Sequence, residues 1–247
     1  MSLGLPDGIK ACLFDLDGVL TQTAKVHAVA WKEMFDGFLR ERAEREGEEF
    51  VAFDGRGDYD RYVDGKPRAD GVRSFLQSRS IELEEGSADD PPEAETISAL
   101  GLRKNALVLK LIEERGVEPY EGSIRYAEAA KKAGLALAVV SSSTNCRAVL
   151  AAAGIEDMFA EIVDGTVAEE QGLAGKPAPD TFLAGARAVG VEPAEAAVYE
   201  DALAGVEAGR AGNFGCVIGV DRVGQAEALT EHGADMVVTD LDQLLDR

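Results

Sequence analysis

Residues 11–21, ACLFDLDGVLT, decide the fold. The apolar run Ala11–Phe14 ends in two carboxylates, Asp15 and Asp17, with one residue between them and Gly18 directly after. A short apolar run closed by a glycine turn reads as a buried strand and its exit loop. In open α/β sheets, ligands bind at the carboxyl ends of such strands. Side chains alternate along extended chain, so Asp15 can point at a bound group. Asp17, just past it, sits over the site and lends its backbone carbonyl to a cation. Among 46 acidic residues, a lone D-x-D would ordinarily be two solvated loop acids. This pair gains weight from the strand before it and from three later strand ends that carry polar residues.

The rest of the chain supplies those strands. After a turn at 21–25, read as a hinge, the period becomes helical, with Val26, Ala30, Phe35, Phe38 and Leu39 spaced for one face. Residues 40–49 are charge-dense and read as a solvated helix end. Residues 54–65 and 84–95 read as loops, 69–78 and 98–115 as helices. From 116 the pattern alternates. Helices are expected at 123–133, 145–153, 180–189 and 203–211. Strands are expected at 135–140, 160–163, 196–199, 216–220 and 235–238, with a turn at Asp164-Gly165. Alternating strands and helices imply a parallel sheet with right-handed crossovers. The expected fold is α/β: a doubly wound, Rossmann-like parallel-sheet core (1–22 and 116–247). A second, smaller all-helical cap domain (23–115) is inserted after the first strand.

Composition narrows the partners. With 46% apolar residues over 247 positions, the chain can bury a proper core. A net charge of −21 argues against nucleic acid and against an anionic membrane surface. No apolar run approaches the roughly 20 residues needed to span a bilayer, and no signal pattern opens the chain. A cytoplasmic location and an isolated monomer are the default expectations. Cys12, Cys146 and Cys216 are too scattered for a disulfide framework and read as small buried residues.

The later strand ends carry the other chemistry. SSSTN, residues 141–145, runs into a helix start and offers hydroxyls and backbone N–H groups to an anion; the plainer reading is N-capping by Ser143 or Thr144. Lys176, framed by Gly175 and Pro177, can offset phosphate charge. Glu200 and Asp201 at a buried strand end are costly unless paired or bound to a cation. Together with Asp15 and the Asp17 carbonyl they make an all-oxygen site suited to Mg²⁺.

With FDLDGVLT, SSSTN, GKPAPD and YEDALAG in that order, the chain resembles the haloacid dehalogenase superfamily with a helical cap after the first strand. Within it, His27 and Trp31, the run 64–68 (DGKPR), and Arg103, Lys104 and Asn105 are similar to the β-phosphoglucomutase group. The resemblance implies Asp15 as nucleophile, forming an aspartyl phosphate, and Asp17 as general acid and base. It implies Ser141 and the Ser142 N–H on the transferring phosphoryl oxygens, Lys176 as charge partner, and Asp15, Asp17, Glu200 and Asp201 around Mg²⁺. Arg68 would clamp a second phosphate. Ser143, Asn145, Lys104 and Gly65 would line the substrate site, and His27 would orient Asp17 or the hinge. The substrate would be a small sugar phosphate: β-glucose 1-phosphate for a mutase, or a related ester for a phosphatase. A non-enzymatic phospho-receiver module is disfavoured by the motif order and by the helical insertion.

Overall fold

A computed structural model describes residues 3–245. The chain divides into two compact units. One holds the residues up to Thr23, Gly65–Pro67, and everything from Val117 onward; the other holds Ala24–Asp64 and Arg68–Gly116.

The smaller unit is built on three helices, α1 (Ala24–Glu46), α2 (Arg68–Ser78) and α3 (Ile97–Arg115). Trp31, Met34, Phe35, Phe38 and Leu39 recur at helical spacing and bury one face of α1. They meet Val72, Phe75 and Leu76 of α2, Ile97 and Leu100 of α3, and Phe53 from the intervening chain. Phe35 lies 4.2 Å from Phe75, centroid to centroid, and 5.3 Å from both Trp31 and Phe53. Such close ring pairs add to simple area burial. Val26 and Ala30 instead pack into a separate small cluster with Val108 and Leu111. The stretch expected as loop at 54–65 contains a five-residue π-helical turn, Tyr59–Val63. Its Tyr59, Tyr62 and Val63 pack on the aromatic core, so burial overrides a loop-like composition. Thr96 caps α3, its side chain accepting from Ala99 N at 3.0 Å.

The larger unit is a six-stranded parallel sheet. Its strands are β1 (Ala11–Phe14), β2 (Ala136–Val140), β3 (Glu161–Val163), β4 (Ala196–Glu200), β5 (Cys216–Val220) and β6 (Met236–Val238), in the order β3-β2-β1-β4-β5-β6. Phe14 pairs with Val139 on one side and Tyr199 on the other. Every residue of β1, β4 and β5 is buried. That is why these strands read as unbroken apolar runs instead of alternating ones. The helices of this unit are α4 (Glu121–Lys132), α5 (Cys146–Ala152), α6 (Gly165–Gln171), α7 (Asp180–Ala188), α8 (Leu203–Ala211) and α9 (Ala226–Glu231). The fold is therefore the expected Rossmann-like α/β core with a smaller helical unit inserted after β1.

Three local readings need correction. The turn at Asp164-Gly165 opens a helix: Asp164 is the N-cap of α6, its side chain accepting from Val167 N at 2.9 Å. α9 lies where no element was expected. Thr21 and Thr23, placed in a hinge, are buried and hydrogen-bonded. No helix among the described residues is long and apolar enough to cross a membrane.

Candidate active site

In the strand order, β2 and β3 lie on one side of β1, and β4, β5 and β6 on the other. The order therefore reverses between β1 and β4, and the carboxyl ends of the strands at such a point are where open α/β sheets bind ligands. Asp15 leaves β1 with its N–H still bonded to Tyr199 O at 2.9 Å. Glu200 is the last residue of β4, and Asp201 follows. The sheet thus brings the two acidic motifs together from 185 positions apart.

Lys176 joins them. Its ammonium lies 2.5 Å from Asp15 Oδ1, 2.6 Å from Glu200 Oε1 and 3.2 Å from Val140 O, which satisfies its three donors. It also sits 4.7 Å from the Phe182 ring centroid. The lysine is 2% exposed, Glu200 0% and Asp15 7%. Burial works against the charge on Lys176, but the carboxylates of Asp15 and Glu200 outweigh it and raise its pKa. Burial raises the Asp15 pKa well above the usual carboxylate range. Lys176 pulls it down, and Glu200 and Asp17 push it up again. Lys176 precedes Pro177 through a cis peptide bond.

The donor set suits a divalent cation. Asp15, Glu200 and Asp201 each offer an oxygen, and these atoms lie within 4.8 Å of one another. Hard oxygen donors at a buried site are the ligand type Mg²⁺ takes. Glu200 already uses Oε1 for Lys176 and accepts Ala202 N at Oε2, 2.8 Å away. Of the three, Asp15 and Asp201 would be the more available to a cation. Two glycines leave room for these carboxylates. A Cβ on Gly18 would come within 1.7 Å of Asp201 Oδ2, and one on Gly205 within 1.7 Å of Glu200 Oε1. Gly18 also has φ +88, which side chains rarely adopt.

Asp17 is half-buried and accepts the Thr23 hydroxyl at Oδ1. Thr23 in turn bonds the Thr21 hydroxyl at 2.7 Å, and Thr21 bonds Leu16 O at 3.2 Å. The hinge reading gave both threonines no part in holding Asp17. Their signal was two hydroxyls, spaced by two, just after the acidic motif. Ser141 is buried, and its Oγ accepts Ser143 N at 3.1 Å. Ser143 Oγ accepts Asn145 N at 3.1 Å. The N-cap of α5 is Asn145, without a side-chain cap bond, so neither Ser143 nor Thr144 caps that helix. Ser142 Oγ donates to Gly65 O at 2.8 Å, and Gly65–Pro67 groups with the α/β unit.

The other expected site residues lie in the helical unit. Lys104, 5% exposed, points its ammonium at His27 Nδ1, 2.9 Å away, and lies 4.8 Å from the Trp31 ring centroid. Arg68, at the start of α2, lies against Gly101 of α3, where a Cβ would meet its side chain at 3.4–3.5 Å.

A family model for haloacid dehalogenase-like hydrolases matches residues 9–213. The chain is 58% identical over 246 residues to a β-phosphoglucomutase of Mycobacterium bovis, covering 98% of this chain and 94% of that one. It is 32% identical to a β-phosphoglucomutase of Bacillus subtilis, covering 96% and 92%. The crystal structure of a β-phosphoglucomutase from Clostridium difficile superposes with a TM-score of 0.75 at 27% identity, covering 96% and 94%. The chain therefore belongs to the haloacid dehalogenase superfamily, in its β-phosphoglucomutase-like group, and is a phosphotransferase of that superfamily.

Proposed function

We propose that this enzyme is a Mg²⁺-dependent β-phosphoglucomutase, converting β-glucose 1-phosphate to glucose 6-phosphate through glucose 1,6-bisphosphate. The observation that carries the choice of substrate is the 58% identity over almost the full length of both chains. The chemistry is supported by a buried Asp15 held against Lys176 beside two further carboxylates. When bound, Mg²⁺ supplies the positive charge that keeps Asp15 ionised and offsets the charge of the phosphoryl oxygens.

The cycle starts with Asp15 as an aspartyl phosphate. The sugar 6-hydroxyl attacks phosphorus, its proton passes to Asp17, and the bond to Asp15 breaks to leave the bisphosphate. Asp15 then attacks the phosphoryl group at C1. The C1–oxygen–phosphorus link breaks at phosphorus, and Asp17 returns its proton to the C1 oxygen. Glucose 6-phosphate leaves, and the phosphoenzyme is restored. Lys176 balances charge on Asp15 throughout. Ser141 and the Ser142 N–H are assigned to the transferring oxygens. Arg68, with its planar fork, is assigned to the second phosphate. Ser143, Asn145, Gly65, His27 and Lys104 are assigned to the rest of the sugar phosphate.

The test is ³¹P NMR with Mg²⁺, β-glucose 1-phosphate and a trace of glucose 1,6-bisphosphate. Growth of glucose 6-phosphate without inorganic phosphate is the expected result. Release of inorganic phosphate would replace the mutase by a sugar-phosphate phosphatase working through the same residues. Asp15→Asn should be silent in this assay while keeping its fold; turnover in that variant would remove Asp15 as the nucleophile.

A further inference from the structure

One loop holds both halves of the metal and acid–base site. Residues 221–225, DRVGQ, follow β5. Asp221 folds this loop by accepting three backbone N–H groups at Oδ1: Val223 at 3.2 Å, Gly224 at 2.6 Å and Gln225 at 2.8 Å. From it, Arg222 reaches back to the turn that follows Asp17. Its Nε donates to Gly18 O at 2.9 Å, and one terminal nitrogen to Val19 O at 3.4 Å and Ser123 Oγ at 3.2 Å. The other terminal nitrogen donates to Thr239 O at 2.7 Å and lies 3.3 Å from Asp240. The guanidinium also lies 3.6 Å from the Tyr120 ring centroid, and the side chain is 12% exposed. Three residues further on, Gln225 Nε2 donates to Asp201 O at 2.9 Å.

The two anchor points touch each other. Asp201 occupies the space a side chain on Gly18 would need. The separation of the Asp17–Gly18 turn from Asp201 is therefore set by their direct contact and by what holds each backbone. Arg222 holds one and Gln225 the other. Neither residue carries one of the sequence motifs, and neither is among the candidate ligands or proton carriers.

We propose that Arg222 and Gln225 are positioning residues for phosphoryl transfer, fixing the Asp17–Gly18 turn and Asp201 at the spacing that Mg²⁺ and the acid–base step require. This rests on the phosphotransfer reading above. An arginine is needed because its planar fork serves Gly18, Val19, Ser123 and Thr239 at once, which a lysine cannot do. Residues that orient metal ligands typically change metal affinity about 10- to 100-fold when replaced. A misplacement of about 1 Å costs on the order of 100-fold in rate.

The experiment compares Arg222→Met, Arg222→Lys and Gln225→Leu with the unmodified enzyme. Mg²⁺ affinity is read by isothermal titration calorimetry without substrate, and kcat and KM on β-glucose 1-phosphate are read well below the melting temperature. Arg222→Met should lose about 10- to 100-fold in kcat with KM changed by less than about threefold. Arg222→Lys should fall between it and the unmodified enzyme, and serves if the methionine variant does not fold. Gln225→Leu should weaken Mg²⁺ binding about tenfold and recover most of its kcat at saturating metal. Asp235→Ala is the control. It removes the acceptor of the Val217 N–H, 2.8 Å away, and should lower stability with kcat and Mg²⁺ affinity unchanged. If the Arg222 and Gln225 variants behave like this control, the proposal is overturned. The calorimetry needs no turnover. Failure of the unmodified enzyme on glucose phosphate would strike the substrate assignment alone, and the positioning roles would stand or fall on Mg²⁺ affinity.

Discussion

Lys176 shows what a single residue does in this site. Its ammonium separates two buried carboxylates that would otherwise face each other without compensation. Breaking a buried ion pair by removing one partner is costly, about 3–5 kcal/mol, because an uncompensated charge stays behind. Lys176→Met is expected to lose that much stability at pH 7.5 without metal, and to lose phosphoryl transfer by about 1,000-fold or more. The sign with pH follows from Asp15. Its folded-state pKa is already raised, chiefly by burial, and losing Lys176 removes the charge that pulls it down. A raised carboxyl pKa favours the folded state at low pH and disfavours it as pH rises. The deficit should therefore shrink at pH 5, and urea titrations at the two pH values will show it. An equal deficit at both would mean the lysine acts only as a packing group. At this scale the grouping of Asp15, Glu200 and Asp201 was foreshadowed, because each ends or follows an apolar run, whereas Lys176 stands in a loop after α6 and was marked only by its Gly-Lys-Pro frame. Thr23, Arg222 and Gln225 were not foreshadowed. Arg222 acts on backbone carbonyls 203 and 204 positions away, and no local pattern marks such a pairing.

Among the elements, most were read where they occur, and the two α-helices that were missed are short. α8 and β5 fall at 203–211 and 216–220, where the sequence reading put them. α6 has seven residues and α9 six, too few turns for an apolar period to stand out. α6 instead depends on its cap. Asp164 is 3% exposed and accepts Val167 N, with Arg147 at 3.5 Å. Asp164→Ala should therefore cost about 1 kcal/mol, within the usual range for loss of an N-cap. Chemical denaturation would detect this as a shifted midpoint with an unchanged slope. No shift would mean the helix is held by its packing alone. The helical unit illustrates the opposite limit. Of its aromatic residues, Phe35 was read as part of an apolar face, but the ring-on-ring cluster with Trp31, Phe53 and Phe75 depends on bringing 53 and 75 against α1.

For the molecule as a whole, the buried thiols set an alkaline limit. Burial pushes the Cys12 thiol up to about 12 and Cys216 to about 11, and raises Cys146 as well. Burial likewise raises Tyr126 and Tyr199, whose hydroxyls lie 2.8 Å apart. Each folded-state pKa lies above its unfolded value. Their contribution to stability is thus complete below the ordinary thiol value of 9.0 and is lost as pH rises toward about 11 and then about 12. Urea midpoints should hold to about pH 9 and fall beyond it. At pH 8, Ellman's reagent should find three reactive thiols only in the unfolded protein. A thiol that reacts at once in the native enzyme would contradict this burial. By itself the sequence determined the alternation of strands and helices, the helical insertion after β1, and the acidic residues that end its strands. Apolar periodicity, glycine turns and acidic strand ends act over only a few residues. The order β3-β2-β1-β4-β5-β6, the meeting of Asp15 with Glu200 across Lys176, and the reach of the 221–225 loop to Gly18 and Asp201 were decided only by the tertiary structure. They depend on the register between segments far apart in the chain, which is fixed only when the sheet assembles.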